Sequence, residues 1–299
     1  MAYLLLALAA IFWGGNYVAG HVLVSHINPY ALSIARWGLT TLLMFSLYWK
    51  VIRAEWHFLS EKWLLNTLYA FLGQVCFPLT LYIGLQYTSS LNAAIYISTT
   101  PCIVLLINFF LFKETITLRN IVGVIVSTLG VIYLSYCNTS EGLAFSSFGI
   151  GDLLTIVSAL SWAFYCALLR LKDKRVTQTA FVGFCSLIGT LILIPIYIGY
   201  LLFTQDTALF VQDFSFTVLF GIVYLVLFPS WLAYVFWNKG VSMIGTTRSE
   251  IFTHVIPLSG GLLSIVLLGE KMHLYHLISL ILIVLGIICC SGTSKKMDK

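Results

Sequence analysis

Long apolar runs, separated by short polar breaks, fill the chain almost from end to end. A helix that crosses a bilayer needs about 20 mainly apolar residues. The first run lacks the basic start of a signal peptide and continues to Val24, so we interpret it as a membrane helix. The pattern predicts ten membrane helices, over 2–24, 29–52, 64–87, 91–112, 119–137, 150–171, 176–203, 214–240, 246–268 and 273–291.

Composition agrees with this pattern, because the chain is 60% hydrophobic and 9% charged, with a mean hydropathy of +0.98. A soluble domain could not bury so many apolar residues, so we expect lipid to surround most of the chain. The seven cysteines lie in or beside predicted helices without the spacing of metal ligands. We therefore expect an all-α integral membrane protein that holds no metal.

The basic residues sort to one side of this predicted topology. If the N-terminus is cytoplasmic, 14 of the 16 lysines and arginines lie in the membrane-proximal inner segments and the C-terminal tail. Basic loops stay in the cytoplasm, so both termini are predicted to be cytoplasmic. The formal net charge of +5 then reflects topology, and no nucleic-acid partner is expected.

The two halves of the chain repeat each other. At a separation of 156 residues, Gly84, Pro101, Glu114 and Gly130 each meet an identical residue, and at 149 residues Trp13 meets Trp162. An odd number of helices in each copy places the second copy upside down in the membrane. We predict two inverted five-helix repeats, with a first repeat over 1–137, a connecting loop over 138–149, a second repeat over 150–291 and a cytoplasmic tail over 292–299.

Several motifs resemble the drug/metabolite transporter superfamily, in its EamA branch. They include Phe-Trp-Gly-Gly-Asn-Tyr-Val-Ala at 12–19, Ser-Ala-Leu-Ser-Trp-Ala at 158–163, and a proline followed by Lys113-Glu114 or Gly269-Glu270. The resemblance implies a ten-helix carrier that exports amino acids or other metabolites through a cavity lined by helices one, three, four, six, eight and nine. Lys113-Glu114-Thr115 departs from the family pattern, in which Glu is followed by a basic residue.

Glu250 and His254 are four residues apart, on one face of predicted helix nine. Ionisable residues inside a membrane are costly and therefore indicate function. The pair could bind a substrate ammonium or pass a proton. Alternatively, Glu250 pairs with Arg248 at the interface while His254 bonds a neighbouring helix.

Two further ionisable residues lie in predicted helices. Arg36 could neutralise a substrate carboxylate, but an arginine at this place is a fold feature of the family that the chain resembles, so we assign it a structural role. His21 is either a third candidate for proton coupling or an interfacial residue.

Other polar and aromatic residues on the expected cavity helices are candidates for substrate binding. Their alternative roles are hydrogen bonding between helices, packing and anchoring at the membrane interface. The binding candidates are Trp13, Asn16, Tyr17, Tyr82, Asn92, Tyr96, Trp162, Tyr165, Trp231, Tyr234, Asn238, Glu250 and His254.

Four repeated residues are interpreted as structural, namely Pro101 and Glu114 in the first half and Pro257 and Glu270 in the second. The glutamates would cap neighbouring helices at matching ends. Glycines such as Gly286 predict close helix contacts, and helix ten offers a face for a homodimer.

The sequence carries no motif of a nucleotide-driven pump, a hydrolase or a cofactor-binding enzyme, so no catalytic activity and no cofactor are expected. We predict a secondary-active carrier for a small polar metabolite, preferably an amino acid or a related zwitterion or cation, in a bacterial inner membrane. A channel, or a carrier for nucleotide-like or phosphorylated metabolites, remains the alternative.

Overall fold

The structure is a computed structural model that describes residues 1–88, 93, 96–138, 149–204, 215–268 and 273–291. The predicted all-helical class is confirmed, since no strand occurs among these residues. The helices are α1 (Ala2–Leu23), α2 (Pro29–Glu61), α3 (Trp63–Gly84), α4 (Thr100–Phe112), α5 (Leu118–Asn138), α6 (Ile150–Leu171), α7 (Gln178–Thr204), α8 (Phe216–Ile244), α9 (consecutive segments Thr246–Glu250, Ile251–His254 and Val255–Leu268) and α10 (Leu274–Ser291).

Six of these helices, α1, α2, α3, α6, α7 and α8, are long and apolar enough to cross a membrane. Helices suit this environment because their backbone groups bond to each other and leave none exposed to lipid. The chain is therefore an integral membrane protein that crosses the bilayer several times.

Helix α2 is longer than predicted, since it continues beyond 52 to Glu61. Its backbone leaves helical geometry at Tyr48, where φ is −122° and ψ is 17°. Beyond this kink, Ile52 and Leu59 are buried, so the polar extension still packs one apolar side against the protein. Packing therefore prolongs the helix past the apolar run.

Helices α3 and α8 each contain a wider π-helical segment, Phe71–Cys76 in α3 and Val226–Leu232 in α8. In α8 the segment surrounds Pro229, whose ring would clash with the carbonyl group of Leu225 in a regular helix. The Ser230 hydroxyl donates to that carbonyl oxygen at 2.7 Å. The π segment thus accommodates the proline without leaving a buried carbonyl unpaired.

Helix α9 is also interrupted, because residues Ile251–His254 form a tighter 3₁₀ segment. Pro257 lies three residues after this segment and cannot donate to the carbonyl group of Thr253, four residues earlier. The predicted continuous helix is therefore broken where Glu250 and His254 lie.

The centre of the molecule is formed by α1 between α8 and α9, and by α6 between α3 and α4. Outside this centre, α2 packs on α7 and α5 packs on α10. Both outer pairs are antiparallel, since Gly38 faces Thr190 while Ile52 faces Gly183, which comes earlier in α7. In the second pair, Gly130 of α5 lies against Leu282 of α10, whereas Gly123, earlier in α5, lies against Gly286, later in α10.

Candidate functional site

A cluster of aromatic rings from α1, α6 and α8 fills the centre of the bundle. The Trp13 ring centroid lies 4.7 Å from that of Trp162 and 5.1 Å from that of Trp237. Tyr165 stacks on Trp162 at 5.1 Å, and Tyr234 lies edge-on to Trp13 at 5.7 Å. All five side chains are buried, so in this conformation the cluster closes the centre of the protein.

Two Tyr–Asn hydrogen bonds flank this aromatic cluster. The Tyr82 hydroxyl donates to Asn16 Oδ1 at 2.9 Å, and the Tyr165 hydroxyl donates to Asn238 Oδ1 at 3.0 Å. Each bond joins two helices of the same half of the chain: α3 to α1 in the first half, and α6 to α8 in the second. The four predicted binding residues are thus brought together in pairs.

Arg36 is fully buried next to the first of these pairs. Its Nη1 donates to Tyr82 Oη at 2.7 Å and to Asn16 Oδ1 at 3.1 Å, and its Nε donates to Ser230 Oγ at 2.5 Å. The guanidinium also lies 5.1 Å from the Trp37 ring centroid. In the described part of the chain, no carboxylate forms an ion pair with this buried charge.

Glu250 is likewise buried, with 1% of its surface exposed. The Cys166 thiol and the Thr100 hydroxyl lie beside its carboxyl group. Neither carboxylate oxygen has a hydrogen-bond partner among the described residues, so Glu250 does not pair with Arg248. A buried carboxylate in this state is costly unless a proton or a cation joins it.

His254 joins three segments of the chain. Its Nε2 lies 2.7 Å from the carbonyl oxygen of Ser98, and its Nδ1 lies 2.7 Å from Ser127 Oγ of α5. A carbonyl oxygen only accepts, so Nε2 carries hydrogen and any further proton must bind at Nδ1. Glu250 and His254 therefore have separate sets of neighbours, although both face the interior.

The remaining predicted site residues are not members of the aromatic cluster. Tyr17 is buried near Tyr82 and Tyr234, whereas Tyr96 lies beside Asp152. Trp231 is half-buried against Tyr48, with ring centroids 6.3 Å apart, and His21 is exposed at the end of α1. Asn92 lies outside the described residues.

The residues predicted as structural lie at helix ends and breaks. Pro101 is in the first turn of α4, where its missing N–H costs nothing, and Pro257 is in the first turn of the last segment of α9. Glu114 accepts from Arg170 at 3.2 Å and from Thr247, in the first turn of α9, at 3.1 Å. Glu270 lies outside the described residues.

A cavity of about 560 Å³ opens on the side where α4 ends and α9 begins. Glu114, Thr246 and Asn238 line it, together with the basic residues of the α6–α7 loop. Because Asn238 also bonds to Tyr165, the cavity leads from the surface to the aromatic cluster. We call it the vestibule.

The loop beside the vestibule carries a tightly held lysine. The Lys172 ammonium donates to the carbonyl oxygens of Val176 at 2.5 Å and Asp173 at 3.2 Å, and burial lowers its pKa to about 8. Hydrogen bonds from Arg175 hold the pKa of Asp173 well below its usual range. The loop is thus fixed by paired charges.

Several residues of this site were not singled out from the sequence, among them Cys166, Thr100 and Ser230. Thr100 directly precedes Pro101, and Ser230 directly follows Pro229. A small polar residue beside a proline in an apolar helix is a usable signal, because the proline frees backbone groups that need partners. Cys166 carries no such signal.

Buried, unpaired charges at the centre of an apolar helical bundle are typical of membrane transport proteins. The family model described as the EamA-like transporter family matches residues 1–136 and 149–292. The chain belongs to the EamA-like transporter family, as its motifs indicated.

Similar proteins agree with this assignment. Over 299 residues the chain is 26% identical to YetK of Bacillus subtilis, named as an uncharacterized transporter, covering 99% of the chain and 88% of YetK. An uncharacterized transporter of Archaeoglobus fulgidus is 28% identical, with 95% of each chain covered. A solved crystal structure shares the fold, with a TM-score of 0.73 at 17% identity, over 97% of this chain and 96% of the other. Family and relatives indicate a membrane transporter rather than an enzyme.

Proposed function

We propose that the protein is a secondary-active transporter that exports an amino acid, or a related zwitterionic or cationic metabolite, by alternating access. The observation that carries this proposal is Glu250, a buried carboxylate whose two oxygens have no partner in the described residues. A substrate ammonium or a transported proton would supply the missing partner. Such a group is suited to bind on one side of the membrane and release on the other.

Inverted five-helix repeats, part of the same proposal, would provide the conformational change. Three residue pairs at the repeat separations are in contact: Trp13 with Trp162, Thr41 with Thr190, and Ser98 with His254. In a twofold object only residues beside the axis contact their own mates. The antiparallel packing of α2 on α7 and of α5 on α10 supports an axis that lies in the membrane plane.

Alternating access is favoured over a channel, the first alternative, because the aromatic cluster blocks the centre between α1, α6 and α8. An open pore would leave these rings exposed to a continuous path, whereas Trp13 and Trp162 are 2% and 1% exposed. The vestibule on one side and the closed cluster behind it support a carrier open to one side at a time. We infer from the basic loops that this side is the cytoplasm.

A carrier for phosphorylated metabolites is the second candidate, and one observation favours it: five lysines and arginines line the vestibule against two acidic residues. Arg170 and Arg175 are already paired with carboxylates, however. Deeper in the protein, Arg36 is the one lysine or arginine among the described residues of the candidate site. A phosphate would need more than this single charge.

Counterflow in proteoliposomes tests the proposal. Purified protein is screened against amino acids, polyamines, nucleosides and sugar phosphates, and the Glu250→Gln variant is compared on each substrate found. We expect Glu250→Gln to lower counterflow of an amino acid or amine at least about tenfold, because the substitution removes the charge but keeps the shape. Glu55→Gln, which changes a carboxylate on the α7 side of α2 near the surface, is the matched control.

An imposed proton gradient separates the two roles of Glu250. If it carries the proton, wild-type protein accumulates substrate against a gradient and Glu250→Gln does not. Full, pH-dependent transport by both Glu250→Gln and His254→Ala would exclude proton coupling at these residues. Uptake of a sugar phosphate alone would support the second candidate.

A further inference from the structure

The guanidinium of Arg36 has an environment that its structural assignment does not explain. The side chain is 0% exposed, so it does not extend to the surface, and its hydrogen bonds go to side chains instead of helix ends. Its three acceptors are neutral: two hydroxyl groups and one amide. Neutral acceptors stabilise a buried charge much less than an anion does.

The acceptors themselves are held in orientation by further bonds. Tyr82 donates its hydroxyl hydrogen to Asn16 Oδ1, and Ser230 donates its own to the Leu225 carbonyl oxygen. Their lone pairs therefore remain for Arg36. This arrangement positions the guanidinium without neutralising it.

Two donors of the same network have no hydrogen-bond partner in the described residues: Arg36 Nη2 and Asn16 Nδ2. The orientation of Asn16 is fixed, because a guanidinium only donates and the amide atom facing it must be the oxygen. Both unpaired groups are therefore donors. The ligand that fits them has two acceptor oxygens and a negative charge.

We propose that Arg36 and Asn16 form the binding site for the carboxylate group of the substrate, with Tyr82 and Ser230 as positioning residues. One carboxylate oxygen would accept from Arg36 Nη2 and the other from Asn16 Nδ2, and the charge of the carboxylate would neutralise the guanidinium. The inference rests on the proposed transport function and narrows it from zwitterions or cations to carboxylate-bearing compounds.

The carboxylate site and Glu250 are linked through the aromatic cluster. Trp37, beside Arg36, lies edge-on to Tyr234 at 5.2 Å, and on the far side Cys166 neighbours both Trp237 and Glu250. The positive Arg36 and the negative Glu250 are thus connected through side chains of the same aromatic cluster. Helices α1, α3 and α8 carry the neutral partners of Arg36, so their movement during alternating access would expose the guanidinium to substrate.

The experiment compares each amino acid with the amine that lacks its carboxylate. Counterflow is measured for leucine and isoamylamine, phenylalanine and phenethylamine, and lysine and cadaverine, with wild-type, Arg36→Gln and Asn16→Asp protein. Wild type is expected to prefer the acid at least about tenfold in one pair. Arg36→Gln should bring that ratio close to one, because it removes the charge that distinguishes the two compounds.

Asn16→Asp keeps the proposal testable if Arg36→Gln does not fold. The new carboxylate pairs with Arg36 inside the protein, so the melting temperature should stay equal or rise while the preference for the acid is lost. Ser33→Ala is the control on the same helix, since its hydroxyl bonds only to the α2 backbone. It should retain the wild-type ratio.

Each other outcome has a distinct meaning. Wild-type preference for the amine, or a wild-type ratio in both Arg36→Gln and Asn16→Asp, would overturn the carboxylate site and leave the transport function intact. Failure of wild-type protein to move either member of any pair would overturn the proposed substrate class together with the site.

Discussion

At the scale of single residues, the energetic cost of burying charge distinguishes this site from its surroundings. Surface charges such as Arg170 and Glu114 are paired with each other. Arg36 and Glu250 are buried and lack a counter-charge among the described residues. Because a buried charge without a counter-charge is costly, both residues support the proposal that a ligand supplies the missing partner.

Lys172 gives a pH-dependent test of the loop beside the vestibule. Its pKa in the folded protein, about 8, is lower than the ordinary value, so between about pH 8 and 10 the folded state binds fewer protons than the unfolded state. Stability should therefore rise with pH in this window. We expect the melting temperature of wild type relative to Lys172→Met to increase by about 2 °C or more between pH 7.5 and pH 10 in detergent.

Lys174→Met is the control, because that side chain is exposed in the same loop. Its melting temperature should follow the wild-type pH dependence. A constant difference between wild type and Lys172→Met across the pH range would show that burial does not destabilise the charged lysine.

Residue types at the site were predictable from sequence, but their partners were not. Asn16, Tyr82 and Glu250 are polar groups on apolar helices, which is enough to select them. Which group bonds which depends on how α1, α2 and α3 pack, and no local pattern encodes that. Arg36 shows the limit, since its neutral surroundings are visible only in the folded protein.

At the scale of helices, close packing between α5 and α10 depends on glycine. A Cβ atom added at Gly286 would lie 2.6 Å from the Gly123 carbonyl oxygen and 2.8 Å from the Ser127 backbone nitrogen. Backbone atoms cannot move aside, so the helices would have to separate. This glycine serves packing within the chain, which leaves it unavailable as the contact of a homodimer.

Gly286→Ala is therefore expected to destabilise the protein by about 1–3 kcal/mol, measured as a lowered melting temperature in detergent. Gly261→Ala in α9 is the matched control, because nothing lies within 4 Å of its added Cβ. That variant should equal wild type or exceed it slightly, since alanine favours helix. Equal melting temperatures for the two variants would contradict the packing argument.

Apolar length predicts where a helix lies better than how it is interrupted. The first run, predicted over 2–24, forms α1 over Ala2–Leu23. The π segment around Pro229 and the 3₁₀ segment before Pro257 were not predicted, although both prolines were visible. Whether a proline kinks, widens or tightens a helix depends on which side chains satisfy the freed carbonyl group, and that is decided by tertiary contacts.

At the scale of the whole molecule, the two halves share features that hydrophobicity alone would not require. The π segments of α3 and α8 lie at matching positions, since Phe71–Cys76 shifted by the repeat separation of 156 falls within Val226–Leu232. The Tyr82–Asn16 bond has its counterpart in Asn238–Tyr165, with the two residue types exchanged. The hydrogen bond is thus repeated in the two halves, while the residue type at each matching position differs.

Inverted repeats make a prediction that parallel repeats do not, namely that matching residues face opposite sides of the membrane. Gln86 and Ser242 are such a pair, 156 residues apart, and both are exposed. In a background without the seven native cysteines, a membrane-impermeant maleimide should label Ser242→Cys from the cytoplasm and Gln86→Cys from outside. Ala163→Cys, at a fully buried position, should be labelled from neither side.

Alternating access adds that a bound substrate changes the two labelling rates in opposite directions, because opening one side closes the other. Labelling of both cysteines from the same side would exclude the inverted arrangement, and parallel changes in rate would exclude the exchange of conformations between the halves.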